Sequence, residues 1–209
     1  MTIEPRNLQI LVAGYASDPP GSQKFLKIDG VVGPATIAAL RRFQRAHGLV
    51  VTGTVNSQTE AKLRAQVDYG DTSSAHFEFA EFMSKDGAGF SGGKVPAWEV
   101  KRNVRRLMHQ LEALRHKCGG RAIIINSAFR SIARNNATPG AASNSMHLFG
   151  CAADITVVGM SSAEAGRIAR TCGLSGLKVY NTATAKHLHG DNRAQYPAYG
   201  SPAWWWIGV

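Results

Sequence analysis

Apolar residues recur at three- and four-residue steps between positions 96 and 117, the longest periodic stretch in the chain. This spacing places them along one face of an amphipathic helix, and the pair Gly119-Gly120 ends it. The basic residues of the stretch fall mostly on the opposite side, and His109 and His116 are expected at the exposed face or its rim. The apolar face consists of Val100, Val104, Leu107, Met108, Leu111 and Leu114.

Short runs rich in β-branched residues predict strands after this helix. They cover residues 122–127 and 153–158, and a third strand is expected at 177–180. Residues 162–172 predict a further helix, which Gly173 ends. This part of the chain therefore combines helices with strands.

The N-terminal part contains an internal repeat, in which residues 28–40 and 51–63 each read as a glycine turn followed by a helix. Pro34 suits the first turn of the first repeat helix, and Gly48 suits its end. Residues 8–14 predict another short helix, which makes a three-helix module. The matched pairs are Gly30/Gly53, Val32/Val55, Thr36/Thr59, Ala38/Ala61 and Leu40/Leu63.

This module resembles the peptidoglycan-binding domain that accompanies many cell-wall hydrolases. The resemblance covers most of residues 6–66 and implies binding to glycan or stem peptide, without assigning any contact residue. The alternative is a small helical bundle with an unrelated binding role. The residues that carry the resemblance are Ile28-Asp29-Gly30, Gly33-Pro34-Ala35-Thr36, Ala39-Leu40, Phe43-Gln44 and Gly48-Leu49.

Composition indicates a globular chain with a basic surface. Hydrophobic residues make up 44% and charged residues 18%, and the formal net charge is +10. Such a charge favours anionic partners, and nucleic acid and the anionic polymers of a bacterial cell wall are both candidates. The basic residues are scattered and no nucleic-acid motif is present, so we expect no nucleic-acid partner.

Cysteine spacing and hydropathy bear on disulfide bonding and on the cellular location of the chain. Cys118, Cys151 and Cys172 form no CxxC pair, and at most one bridge can join them. No apolar stretch is long enough for a membrane span, and the N-terminus lacks the charged leader and apolar core of a signal peptide. The chain is therefore expected to have been processed, to leave the cell by another route, or to stay inside.

Histidines and an acid cluster in two short segments, residues 145–154 and His187-Leu188-His189. Imidazole and carboxylate ligands suit zinc, and two histidines with one acid leave a fourth position open, as in catalytic sites. His147 and Asp154 can meet only if the chain folds back between them, which Gly150 permits. On a strand, the two histidines of the second segment share one face while Leu188 points into the core. The alternative is that these are ordinary polar loop residues.

Two further features leave alternatives open. Arg130 follows a predicted strand and precedes a Gly/Asn-rich loop, so its guanidinium is placed to hold a carboxylate or oxyanion, or else forms a surface salt bridge. The run Trp204-Trp205-Trp206 is either a sugar-stacking platform or packing against the sheet.

With these motifs in one order, the rest of the chain resembles the zinc D-Ala-D-Ala carboxypeptidases of the M15 peptidase family, Streptomyces type, which also carry an N-terminal peptidoglycan-binding domain. The resemblance implies an α+β fold with a three-helix domain at 1–70. A catalytic domain at 71–209 would carry an antiparallel sheet flanked by helices. It also implies Zn²⁺ as cofactor. The matching stretches are Ser91-Gly92-Gly93-Lys94-Val95, Phe129-Arg130-Ser131, Gly140-Ala141-Ala142-Ser143-Asn144, the 145–154 motif and His187-Leu188-His189.

The same resemblance implies roles for individual residues. The zinc ligands would be His147, Asp154 and His189. Arg130 would lie near the substrate carbonyl or carboxylate, and His187 would stabilise the tetrahedral intermediate. Ser145 would contact the substrate.

One position departs from the family pattern. Three residues before the last ligand the family has an acid that serves as general base, and this chain has Lys186; a nearby family histidine is replaced by Thr184. A lysine accepts a proton near a metal only if its pKa falls by several units. Asp191 and His187 are the alternative bases.

These features predict a zinc-dependent peptidoglycan peptidase, acting as a D-alanyl-D-alanine carboxypeptidase or endopeptidase through a zinc-activated water. One alternative, motivated by Lys186, is a catalytically degenerate zinc-containing protein that binds the cell wall. Another is a zinc hydrolase of a non-wall peptide or amide. We expect peptidoglycan as partner, a monomer, and a secreted or cell-wall location, with a phage lysin and a cytoplasmic enzyme as alternatives.

Overall fold

The computed structural model describes residues 3–18, 24–182, 186–200 and 204–208. Its α-helices are α1 (Pro5–Val12), α2 (Pro34–Ala46), α3 (Ser57–Arg64), α4 (Ala97–Lys117), α5 (Ile132–Asn136) and α6 (Ser162–Ala169). Its strands are β1 (Ile123–Ser127), β2 (Ala152–Val157), β3 (Gly176–Asn181), β4 (Lys186–Asp191) and β5 (Trp205–Ile207).

The strands form one five-stranded sheet in the order β1-β2-β4-β3-β5. The first four pair antiparallel, as predicted, whereas β5 adds to β3 in parallel. The parallel strand contains two of the three consecutive tryptophans, so the C-terminal run extends the sheet instead of only packing on it.

One face of this sheet packs on α4 and α6. Leu177, Leu188 and Ile155 point to this face and are at most 1% exposed, in one cluster with the apolar face of α4. Because side chains alternate along a strand, the residues between them point to the opposite face. Ile124 of the edge strand β1 is 52% exposed for the same reason, so β1 is buried on one face only. The predicted α+β class is confirmed.

The expectation for His109 was wrong. Its side chain is fully buried, whereas His116 is exposed as expected. The difference arises because a short 3-10 helix, Ala13–Tyr15, packs against that side of α4. A Cβ at Gly14 would lie 2.3 Å from the Ala113 Cβ, so the two backbones approach closely.

The predicted three-helix module is present as α1, α2 and α3, and the internal repeat has a structural counterpart. Gln9 and Gln44 are both buried, and each forms a side-chain hydrogen bond to one glycine turn. The Gln9 side chain accepts a bond of 2.8 Å from the Gly30 N–H, and the Gln44 side chain accepts one of 2.9 Å from the Gly53 N–H. Both glycines have positive φ, which explains why the repeat requires glycine there.

Cys118, Cys151 and Cys172 are buried free thiols, so no bridge joins them. None of the helices in the described part of the chain is long and apolar enough to cross a membrane.

Candidate active site

The residues predicted as zinc ligands come from three elements of the polar sheet face. His147 lies on a short 3-10 helix, Met146–Phe149, and Asp154 and His189 are directly opposite each other on β2 and β4. Gly150 ends the 3-10 helix with a φ of +72°, which turns the chain back into β2 as predicted. The fold-back therefore brings His147 onto the same face as the other two.

The three side chains offer nitrogen and oxygen atoms at the spacing that zinc requires. His189 Nδ1 lies 2.9 Å from an Asp154 oxygen and 3.3 Å from His147 Nε2. The other Asp154 oxygen is 3.4 Å from His147 Nε2. Tetrahedral zinc with bonds of about 2.0–2.1 Å separates its ligand atoms by roughly 3.3 Å. The cluster His147, Asp154 and His189 can therefore hold a metal ion.

The surroundings of His147 and Asp154 favour the protonation states that bind a metal ion, a neutral imidazole and an ionised carboxylate. Burial lowers the pKa of His147, so its imidazole is neutral near pH 7. Burial opposes ionisation of Asp154, but the two imidazoles outweigh it and hold the pKa of this carboxyl well below its usual range. The pKa of His189 is raised to about 9, because hydrogen bonds to Asp154 and Asp191 outweigh its burial. A cation bound between the three groups would replace that proton.

In His147 and His189, the ring nitrogen that points away from the cluster also has a hydrogen-bond partner. His147 Nδ1 bonds to the carbonyl oxygen of Ala128, and His189 Nε2 lies 3.0 Å from Asp191 Oδ2. Such contacts fix ring orientation at metal sites. Asp191 is fully buried, and its carboxylate also accepts hydrogen bonds from Nε and Nη2 of Arg193. It lies on the far side of His189 from Asp154, which is a poor position for a base acting in the cleft.

Arg130 forms an ion pair inside the site. Its Nη2 donates to Asp154 Oδ2 at 2.8 Å, and its Nε donates to Ser127 Oγ at 3.2 Å. The side chain is only 14% exposed, so this is not the surface salt bridge considered as the alternative.

A cleft of about 580 Å³ opens above the cluster of His147, Asp154 and His189, within the size range of small-molecule sites. His187 and Ser145 both line it. The His187 ring stacks on Tyr180 at a centroid distance of 4.3 Å. The Ser145 hydroxyl also accepts from the His147 N–H, capping the 3-10 helix.

Lys186 does not line this cleft. It is exposed at the first position of β4, one residue before His187. Strand alternation therefore directs its side chain away from the metal face, the sheet face that carries Asp154, His187 and His189. Thr184 lies outside the described residues. Among the described lining residues, Asp154 is the only carboxylate.

Sequence reasoning missed part of the cleft wall. Lys178, Tyr180 and Arg193 line it without having been assigned a role. They lie beside Trp205 and loop residues between Thr138 and Asn144, which the sequence had already singled out. Strand alternation places residues 178 and 180 on one face of β3. Only the pairing of β3 with β4 shows that this face is the one that carries His187 and His189.

The three tryptophans have three different surroundings. Trp205 faces the cleft, and Trp206 packs against the core beneath the Arg170 guanidinium. Trp204 contacts Phe25 at a centroid distance of 6.1 Å.

Comparisons with known proteins show which family and which relative the chain is similar to. The family model described as Peptidase M15 matches residues 75–191, and one described as a peptidoglycan binding domain matches residues 6–63. The chain is 42% identical over 150 residues to the zinc D-Ala-D-Ala carboxypeptidase of Streptomyces albus G. That alignment covers 72% of this chain and 56% of the relative, so the chain spans little more than half of the relative's length.

Proposed function

Because this chain belongs to the M15 peptidase family, we propose that it is a zinc-dependent peptidase that hydrolyses stem-peptide bonds of peptidoglycan. The observation that carries the proposal is the triangle of His147, Asp154 and His189 atoms at zinc spacing, at the base of an open cleft. The name of the Streptomyces albus relative points to the bond between two D-alanines as the first substrate to test.

His147, Asp154 and His189 would hold the ion. Bound zinc supplies Lewis-acid polarisation of a scissile carbonyl and lowers the pKa of water. The chain itself supplies orientation, because Asp191 and the Ala128 carbonyl fix the two imidazole rings.

Arg130 and His187 would act on the developing charge. The Arg130 guanidinium is 2.8 Å from Asp154 and is therefore beside any carbonyl oxygen that reaches the ligand cluster. Preorganised donors at such a position stabilise an oxyanion. His187 lines the same cleft, and in its neutral form its free ring nitrogen is the remaining proton acceptor among the described lining residues.

Ser145 and the N-terminal module would bind the substrate. The Ser145 side chain lies at the cleft edge and caps the helix that carries His147, so substrate contact there would be coupled to ligand position. The module would retain the enzyme on the wall, where tethering raises the local concentration of stem peptides. The site of action would accordingly be the cell wall.

The test is mass spectrometry of purified muropeptides incubated with the zinc-loaded protein. We expect loss of one alanine, or splitting of cross-linked dimers, that a chelator stops and added zinc restores. His147→Ala should abolish both zinc binding and cleavage. The matched control is His116→Ala, which removes an exposed histidine outside the cleft and should leave both intact. Full activity after metal loss would refute the proposal.

A second candidate function is a zinc-containing wall-binding protein without turnover. It is favoured by the lack of a carboxylate, other than the ligand Asp154, among the described residues of the cleft. This function predicts bound zinc and binding to intact sacculi, with unchanged muropeptides in the same mass spectra. Chelator-sensitive cleavage would exclude it.

A further inference from the structure

Lys178 stands in one cross-strand row with two of the zinc-ligand residues. On the metal face of the sheet, Asp154 pairs with His189, and His189 pairs with Lys178. Neighbouring side chains in such a row start about 4.5–5.5 Å apart. The Lys178 side chain therefore begins one strand spacing from that of His189, and it lines the cleft.

The three cationic side chains among the described lining residues of the cleft differ in their partners. Arg130 pairs with Asp154, and Arg193 pairs with Asp191. The Lys178 ammonium instead lies 4.4 Å from the centroid of the Tyr180 ring, and none of the described carboxylates lies within ion-pair distance of it. Lys178 is a partly buried residue whose ammonium has no carboxylate partner among the described residues, so it is available to pair with an anionic ligand.

We propose that Lys178 is a specificity-determining residue that binds the substrate carboxylate on the leaving side of the scissile bond. The inference rests on the proposed peptidase function. In a peptide, the carbonyl of the acyl residue is part of the scissile amide. A free α-carboxylate next to that amide therefore belongs to the residue that leaves as the amine. That carboxylate follows the scissile carbonyl by one residue, so with the carbonyl at the ligand cluster it stays in the cleft that Lys178 lines, one strand from His189.

The Tyr180 ring supports this role by holding the ammonium. The Tyr180 ring contacts the Lys178 ammonium and is also stacked with the His187 ring. An ordered lysine loses less entropy when it binds an anion than a freely rotating one.

The experiment measures binding of two uncleavable acyl tripeptides to the zinc-loaded full chain by calorimetry. Both end in a D-Ala-D-Ala unit whose scissile amide is replaced by a ketomethylene group; one has a free terminal carboxylate and the other a carboxamide. We expect the wild type to bind the acid at least about tenfold more tightly, since hydrogen bonds to charged groups are worth that much. Lys178→Met should remove this preference by weakening the acid alone, and Lys178→Arg should retain most of it.

The matched control is Lys101→Met. Lys101 also holds its ammonium over an aromatic ring, 4.3 Å from the Phe79 centroid, but lies outside the cleft, and its loss should leave the preference unchanged. Equal wild-type affinity for acid and carboxamide, or equal weakening of both by Lys178→Met, would overturn the assignment. Cleavage of the parent amide is assayed separately: its absence would refute the peptidase function, while the binding ratio would still decide the role of Lys178.

Discussion

Gly176 lies directly against the carboxylate of Asp191, its partner in the β3–β4 pairing. A Cβ at position 176 would come within 2.1 Å of Asp191 Oδ2, closer than atoms can approach. The missing side chain thus provides the space in which Asp191 reaches both His189 and Arg193.

Gly176→Ala is therefore expected to displace Asp191 and release the ring of His189. Loss of such an outer contact typically lowers metal affinity by about tenfold to a hundredfold. The measurement is a zinc competition titration with a chromophoric chelator. Gly33→Ala is the control, because a Cβ at Gly33 would meet no atom of the described part of the chain within 4 Å. Unchanged zinc affinity in Gly176→Ala would show that Asp191 does not position the ligand.

Lys186 provides a second prediction. Since Lys186 is exposed and directed away from the metal face, a carboxylate at this position would not reach the cleft. We expect Lys186→Asp to change the rate of alanine release from a short D-Ala-D-Ala peptide by less than about twofold, as for ordinary surface substitutions. A tenfold gain would show instead that the acid absent at this position limits the rate.

The clustering of His147, Asp154 and His189 was predictable from the sequence because its signals are local. Gly150 marked the fold-back between His147 and Asp154, and the spacing of His187 and His189 placed both on one face of a strand. The neighbours of those strands were not predictable, because strand order depends on contacts between segments distant in the chain. Lys178 consequently remained a strand residue without a role until its pairing with His189 was known.

The burial of His109 has the same kind of cause. The periodicity of α4 describes only the face that packs on the sheet. The opposite side is covered by the N-terminal module, whose core includes Ala113 of α4. Nothing in the local pattern of a helix reports that a second layer will cover its polar side.

His109 should make the protein sensitive to acid. Burial, with a smaller contribution from Arg105, lowers its pKa from 6.5 to about 3 in the folded state. Between these values the unfolded chain binds the proton and the folded chain does not, so stability falls as the pH drops below 6.5. At pH 5 the loss amounts to about 2 kcal/mol.

Urea unfolding of wild type and His109→Leu at pH 7 and pH 5 tests this prediction. The variant should lose less stability than the wild type over that interval, by about 2 kcal/mol. Leucine is close in size and needs no hydrogen bond, which suits a site where neither ring nitrogen of His109 has a partner among the described residues. Parallel losses in the two proteins would mean that His109 is protonated in the folded state.

Gln44 should control the stability of the module separately from the metal site. Its side-chain oxygen accepts from the N–H groups of Thr52 and Gly53, and its side-chain nitrogen donates to the Thr54 carbonyl at 2.8 Å. Gln44→Leu keeps the size of the side chain but leaves the buried Gly53 N–H without its partner. The exposed Thr52 N–H keeps the Val50 carbonyl, and the Thr54 carbonyl keeps the Thr52 hydroxyl. Each buried donor left unpaired costs about 1–3 kcal/mol.

We therefore expect Gln44→Leu to weaken binding to intact sacculi in a pelleting assay, while cleavage of a short soluble peptide persists. Gln58→Leu, an exposed glutamine on α3, is the control and should bind like the wild type. If Gln44→Leu lost sacculus binding and soluble-peptide cleavage together, the module would be required for the catalytic fold through its packing on α4. If it lost neither, the glycine turns would not form the wall-binding surface.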